Sequence, residues 1–230
     1  GQIDNSRHII DEEIENLDAD VLKAKMYAFP GPRVIGITVL TSQAKRAYQI
    51  GQMCKKIDPN CTVIMGGIHV TALPSEPLNR CSADIVIRGE GEEPLRKLYE
   101  ALIKNEDWKN INGISYLDDK GDFISNPDGD LLEDIDDVPM FPYEIFSSPK
   151  YDRGFINSAR GCPYKCTFCD VQDKTYHYRS AKSIVDEFEY ILSLGIQEIH
   201  IFDDTFNMGR KRVIEMCEEI LRRGVKVSWS

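Results

Sequence analysis

The 230-residue sequence contains no run of about 18 consecutive apolar residues, which excludes a transmembrane helix. It has no basic excess: 28 Lys and Arg face 38 Asp and Glu, a formal net charge of −10. Phosphate-backbone binding needs the opposite balance, so nucleic acid is disfavoured as a partner. There is no low-complexity tract and no internal repeat, so collagen-like, mucin-like and disordered chains are set aside. The cysteines do not form an even set. There are seven, against a fully paired disulfide framework and for a reducing, cytoplasmic compartment with one metal site. The first residues, GQIDNSRHII, lack the layout of a signal peptide. With 42% hydrophobic residues, the chain can build a core without disulfide staples.

Charge is uneven along the chain. Residues 1–150 hold 26 acidic and 16 basic residues, and residues 151–230 hold 12 of each. The first half alternates helical and strand patterns. Residues 8–27 read as a helix with an acidic exposed face. VIGITVL (34–40), TVIM (62–65) and ADIVI (83–87) read as short buried strands, the last two stopping at Gly66-Gly67 and Arg88-Gly89. Between the first two lies an amphipathic helix over 43–57, striped by Ala47, Ile50, Gly51, Cys54 and Ile57 and ended by Asp58-Pro59. Leu95, Leu98, Tyr99 and Leu102 stripe another helix. This order implies a parallel sheet with helices on both faces.

GISYLDDKGDFIS (113–125) reads as a β-hairpin turning at Asp119-Lys120-Gly121. Residues 126–149 hold four prolines, and six acids between Asp128 and Asp137, the composition of a solvated linker. The expected domains are therefore 1–125, a linker at 126–150, and 151–230. In the last, GFINSAR (154–160), EIHIF (198–202) and VKVSW (225–229) read as strands. Two helices intervene. One is striped by Ile184, Phe188, Ile191 and Leu192 and closed by Gly195; the other spans 210–223 and is closed by Gly224. Three such units do not close a barrel, which takes about 250 residues.

The strongest chemical signal is Cys162-Pro-Tyr-Lys-Cys166-Thr-Phe-Cys169, a C-x3-C-x2-C loop after a strand. A 4Fe-4S cluster is usually held by four cysteines, so three leave one iron open to a small ligand. A structural zinc would need a fourth ligand, for which Asp170, Asp173 or His177 are candidates. A ferredoxin-type relay would need a fourth cysteine, and Cys217 is far along a helix.

INSARGCPYKCTFCD resembles the cluster loop of the radical S-adenosylmethionine (SAM) superfamily. The resemblance implies that Cys162, Cys166 and Cys169 ligate a 4Fe-4S cluster and that Phe168 lies beside the SAM adenine. It also implies that the methionine part of SAM chelates the open iron and that the reduced cluster cleaves SAM to a 5′-deoxyadenosyl radical. At the end of the next strand the family usually carries Gly-Gly-Glu. This chain has Asp203-Asp204-Thr205-Phe206, which resembles the variant of the cobalamin-dependent branch and implies a SAM contact for Asp203 or Asp204. Helix N-capping is the alternative role for these residues.

In the first half, VIGITVL and CTVIMGGIH together resemble the cobalamin-binding fold. Thr38-Val39-Leu40 takes the place of its Ser-x-Leu signature and Gly66-Gly67 that of its Gly-Gly, with 25 residues between Leu40 and Gly66. Glycines at a strand's carboxyl edge let a bulky ligand reach the backbone. GGIHVTALPSE (66–76) and ADIVIRGEGEEPL (83–95) resemble the connecting segments of such domains fused to radical SAM barrels. Gly89-Glu90-Gly91 is not a dinucleotide fingerprint, because Pro94 takes the third glycine's place. No Asp-x-His-x-x-Gly lower-ligand motif is visible, and the resemblance implies cobalamin held without a histidine. His69 reads as a loop histidine.

The fold class expected is α/β: a Rossmann-like cobalamin-binding domain, N-terminally incomplete, followed by the first part of a radical SAM partial TIM barrel. The function implied is a cobalamin-dependent radical SAM methyltransferase acting on an unactivated carbon of a small-molecule substrate. A flavodoxin- or ferredoxin-type electron donor is the implied partner. The alternatives are cyclisation or rearrangement by the same architecture, with or without cobalamin, and a non-enzymatic iron–sulfur or zinc module.

Overall fold

The computed structural model describes residues 9–12, 15–28, 32–143, 152–169 and 175–230. The chain divides into two compact units, 16–132 and 1–15 with 133–230. No helix among the described residues is long and apolar enough to cross a membrane.

The unit of residues 16–132 is built on a five-stranded sheet. Its strands are β1 (Val34–Thr38), β2 (Thr62–Gly66), β3 (Ile85–Ile87), β4 (Ile114–Leu117) and β5 (Phe123–Ser125), in that spatial order. β1, β2 and β3 are parallel, whereas β4 and β5 join antiparallel. Val63, Ile64 and Met65 of β2 and all of β3 are buried, as strands covered on both faces should be. The helices are α1 (Ala19–Tyr27), α2 (Ala44–Ile57), the short α3 (Ile68–Ala72) and α4 (Ser75–Asn79), and α5 (Glu92–Lys104). A single 3-10 turn, Thr41–Gln43, leads into α2. Leu98 packs with Ile64, Ile85, Ile87, Ile114 and Tyr116 in one cluster, and Trp108 meets Tyr116 edge-on at 5.2 Å.

Local chemistry explains where several elements differ from expectation. The helix expected over 8–27 begins only at Ala19, because Asp18 is extended and its carboxylate caps Val21 N at 2.8 Å. The strand expected over 83–87 is reduced to 85–87. Asp84 instead accepts from Val63 N at 2.7 Å and binds Lys55 Nζ at 2.9 Å. On α5 the buried face is Pro94, Leu98 and Ala101; Leu95 and Tyr99 are exposed. The hairpin turn is held by Asp118, whose Oδ1 accepts from Lys120 N and Asp122 N.

The start of the acidic stretch is hydrogen-bonded to this unit. Pro127 O accepts from Gly113 N at 2.7 Å, Arg88 pairs with Asp128, and Leu132 N donates to Glu90. Asp136, further on, accepts from Ser180 N within the second unit. Part of the expected linker, residues 144–150, lies outside the described residues.

In the second unit β6 (Arg153–Ile156), β9 (Glu198–Ile201) and β10 (Ser228–Trp229) form a parallel sheet in the order β10-β9-β6. A ribbon of β7 (Ala159–Arg160) and β8 (His177–Tyr178) stands apart from it. α6 (Ala181–Ser193) and α7 (Arg210–Arg223) supply Ile184, Phe188, Ile191, Met216 and Ile220 to a core closed by Ile156 and Ile199. Ser180 caps α6, and Gly195 and Gly224 follow α6 and α7 with positive φ. The last strand is shorter than expected, since Val225 N still donates to Ile220 O in the closing turn of α7. Asp186 joins the helices, binding Lys182 and Arg223, each at 2.6 Å.

Two outcomes are expected. A Cβ at Gly51 of α2 would fall 2.0 Å from Ser82 O, so Gly51→Ala should cost about 1–3 kcal/mol, read from its thermal midpoint. Hydrogen bonds from Lys182 and Arg223 hold the Asp186 carboxyl below its ordinary value. Its contribution is therefore full above the ordinary carboxylate range and is lost as pH falls through the lowered value. Asp186→Asn should be less stable than the parent near neutrality, and the gap should close on acidification in urea melts.

Candidate functional site

Parallel pairing sends consecutive loops out at one edge. Ile156 of β6 lies opposite Ile201 of β9, and Phe202 N donates to Ile156 O at 2.8 Å. The segment after β6 carries the cysteines, and the segment after β9 carries Asp203-Asp204-Thr205. The strand expected over 154–160 breaks at Asn157-Ser158. Its last two residues turn away as β7 and pair with β8. That ribbon closes the neck of the cysteine segment, which opens at Gly161 with φ +76°.

Cys162 is buried, with Sγ 3.2 Å from Thr205 Oγ1. Cys166 and Cys169 are exposed and share a turn in which Cys169 N donates to Cys166 O at 3.1 Å. Phe168 between them is 90% exposed, so it does not anchor the loop. Among the described residues no three His, Cys, Asp or Glu side chains converge on a point that a metal ion could occupy, and no disulfide forms. Asp170 and Asp173 lie outside the described residues, and His177 is in β8 opposite Arg160. Cys217 packs against the core of α6 and α7.

The two aspartates expected at this edge have different surroundings. The Asp203 side chain is fully buried, and Asp204 is exposed. Asp203 Oδ1 accepts from Ser158 N at 2.7 Å and Ala159 N at 2.9 Å. Oδ2 accepts from Ser158 Oγ at 2.5 Å and faces Arg212 Nη2 at 3.4 Å. Neither aspartate caps α7, whose N-cap is Gly209. Arg179, emerging from β8, is paired with the buried Glu187 of α6, and its backbone N–H donates to Ser158 O at 2.9 Å. Neither Arg212 nor Glu187 belongs to a motif. Each falls on the buried phase of its helix, Arg212 with Met216 and Ile220, and Glu187 with Ile184 and Ile191. A charged residue at such a phase is the signal that could have found them.

In the other unit, Thr38 and Gly66 are paired at the carboxyl edge of β1 and β2. Thr38 and Leu40 are exposed there. Gly67 has φ +104°, and a Cβ on it would lie 2.9 Å from Val39 O and 3.0 Å from Val39 N. Gly67 is thus the one residue type that lets the two loops lie together. Thr38, Gly66 and Gly67 lie together at this edge, and Leu40 follows two residues after Thr38. His69 is not on a loop: it is buried in α3 and bonded on both ring nitrogens. Nδ1 lies 3.3 Å from Thr41 Oγ1, and Nε2 lies 3.0 Å from Tyr48 Oη and 3.3 Å from Glu76 Oε2. Burial and the adjoining Glu76 carboxylate push the Tyr48 hydroxyl up to about 12. The ring is occupied within the protein and is not offered to a ligand.

Residues 5–99 match the B12 binding domain family and residues 156–230 the Radical SAM superfamily. An uncharacterized methyltransferase of Pyrococcus horikoshii is 33% identical over 96% of this chain and 50% of its own length. An anaerobic magnesium-protoporphyrin IX monomethyl ester cyclase of Rubrivivax gelatinosus is 30% identical over 96% of this chain and 42% of its own. The chain therefore spans half the length, or less, of these curated relatives. Among solved structures, the cobalamin-dependent S-adenosylmethionine radical enzyme OxsB, with aqua-cobalamin and S-adenosylmethionine bound, superposes with a TM-score of 0.80. It is 24% identical, over 96% of this chain and 32% of that one.

Gly67→Ala should destabilise the first unit by about 1–3 kcal/mol in denaturant melts, from the left-handed φ and the contact with Val39. Gly36→Ala, where an added methyl meets nothing within 4 Å, should leave the midpoint near that of the parent.

Proposed function

The chain carries a B12 binding domain followed by a segment of the Radical SAM superfamily, and from that pairing we propose that it is the two-cofactor part of a cobalamin-dependent radical SAM methyltransferase. The reaction proposed is methylation of an unactivated carbon of a small-molecule substrate. The observation that carries this reading is the loop of three free cysteines at the carboxyl edge of a parallel sheet, in a chain whose other unit joins Thr38 to Gly66-Gly67 at its own carboxyl edge.

The residues present fit both cofactors. Three thiols, two of them exposed, are soft donors suited to an iron–sulfur cluster, and Cys162, Cys166 and Cys169 would hold it. When bound with SAM, the cluster supplies the single electron that cleaves the sulfonium. Asp204, exposed beside the loop, has a carboxylate free to accept from the SAM ammonium, and the exposed Phe168 ring offers a face to the adenine. At the other edge Gly66, where an added Cβ would meet only Ile87 O at 3.9 Å, leaves the backbone open to a bulky ring. The Thr38 hydroxyl offers a hydrogen bond, and Leu40 an apolar contact, to a nucleotide tail. When bound, cobalamin supplies the transferable methyl group. His69 contributes no cobalt ligand, because both its nitrogens are engaged.

The cyclase relative favours a second reading, cyclisation by the same architecture. Seven unpaired thiols suit a reducing cytoplasm, where a flavodoxin- or ferredoxin-type donor would reduce the cluster.

The test is the iron, cobalt and zinc content of anaerobically reconstituted protein supplied with hydroxocobalamin and freed of excess. About four iron and one cobalt per chain are expected, with iron falling to background in Cys166→Ala. Iron without cobalt would overturn the two-cofactor reading, and one zinc with little iron would overturn the radical reading. A substrate product lacking an added methyl group would favour the cyclase alternative.

A further inference from the structure

We propose that Asp203 is a positioning residue for the cysteine loop rather than a contact for SAM: countered by Arg212, its carboxylate fixes Ser158 and Ala159 and thereby the course of the chain into Gly161. The inference deepens the radical SAM reading and rests on it only for what the loop binds.

A carboxylate has about four lone-pair sites, and those of Asp203 are directed at Ser158 N, Ala159 N, Ser158 Oγ and Arg212 Nη2. With the side chain fully buried, no acceptor remains for an incoming ammonium. Two successive backbone N–H groups bound to one oxygen fix the chain direction just where β6 ends and β7 begins. Arg212 completes the arrangement from α7. It is buried, its Nη1 donates to Ser158 Oγ at 2.8 Å, and its Nη2 donates to Phe206 O. Its guanidinium lies 5.8 Å from the Tyr178 ring and 6.0 Å from that of Tyr176. Arg212 therefore touches both strands of the neck, Ser158 before the loop and Tyr176 and Tyr178 after it. Buried ion pairs seldom add stability over an apolar pair, so the role inferred for this one is to enforce a single geometry. Asp204, next in the chain and exposed, is left as the carboxylate that can meet a ligand.

The decisive experiment needs no cluster. In the cluster-free full chain, the labelling rate of each cysteine by a maleimide is followed by mass spectrometry. Cys162 is buried, Cys166 and Cys169 are exposed, Cys217 reports the core of the same unit, and Cys54 reports the other unit. Asp203→Asn should speed labelling of Cys162 about tenfold and leave Cys54 and Cys217 unchanged, because only the neck opens. Arg212→Gln should act in the same direction, and the double variant should be no faster than Asp203→Asn alone, since both remove one interaction. Asp204→Asn should change nothing. If Cys217 is also unmasked, Ser158→Ala decides. It removes a single hydroxyl and should still raise Cys162 labelling about threefold.

Unchanged Cys162 rates in Asp203→Asn, or in Ser158→Ala where that variant decides, would overturn the proposal. In reconstituted protein, SAM affinity is read from its perturbation of the cluster's electron paramagnetic resonance. It should fall about tenfold or more in Asp204→Asn and stay within about threefold of the parent in cluster-bearing Asp203→Asn. The reverse ranking would also overturn the proposal. Failure of the parent to take up a cluster would sink the radical SAM reading and leave the labelling result standing.

Discussion

Parallel strand pairing is the constraint on which both candidate sites depend. In a parallel pair the loops that follow each strand leave at the same edge, and that edge is where open α/β sheets and barrels place their ligands. The register of β1 with β2 sets Thr38 beside Gly66, and the register of β6 with β9 sets Ile156 beside Ile201. From those two alignments follow the meeting of Val39 with Gly67 in one unit and of Cys162 and Ser158 with Thr205 and Asp203 in the other. Residues 28 and 45 positions apart become neighbours through backbone hydrogen bonds and the burial of both sheet faces.

Each edge is then fixed by a different means. The first unit uses the absence of a side chain. Gly67 brings its backbone against Val39, and His69, the second residue of α3, donates its backbone N–H to Val39 O and directs its ring to Thr41. The second unit uses buried charge. Asp203 with Arg212, and Arg179 with Glu187, hold the neck of the cysteine loop from two sides. Desolvating four charged groups is costly, and removing one partner of such a pair strands the other, typically at about 3–5 kcal/mol. Polar networks of this kind select one arrangement of the chain where an apolar contact would accept several.

The outer part of the loop is built differently. Cys166, Cys169 and Phe168 are exposed and take little part in packing. On the proposed reading, that exposure leaves Cys166, Cys169 and Phe168 open to an inorganic cluster and a nucleoside. The chain supplies a rigid neck and an accessible tip, with Cys162 buried at the junction of the two.

Local chemistry was legible in the residues alone. The C-x3-C-x2-C spacing, the helix closures at Gly195 and Gly224, the hairpin turn at Asp119-Lys120-Gly121 and the Gly66-Gly67 edge all depend on neighbours within a few positions. The family resemblance carried the α/β architecture of both units for the same reason, since its motifs are short and ordered. What needed the tertiary structure was every choice between equivalent local candidates. Leu95 and Leu98 suit a buried helical stripe equally, and only the position of α5 against β3 and β4 put Leu98 inside. Asp18 stopped a helix whose apolar pattern ran further back. Asp203 and Asp204 are chemically identical neighbours. The pairing of β6 with β9 turned the first toward Ser158 and Arg212 and the second to solvent, because a side chain's role is set by the partners that distant segments bring to it.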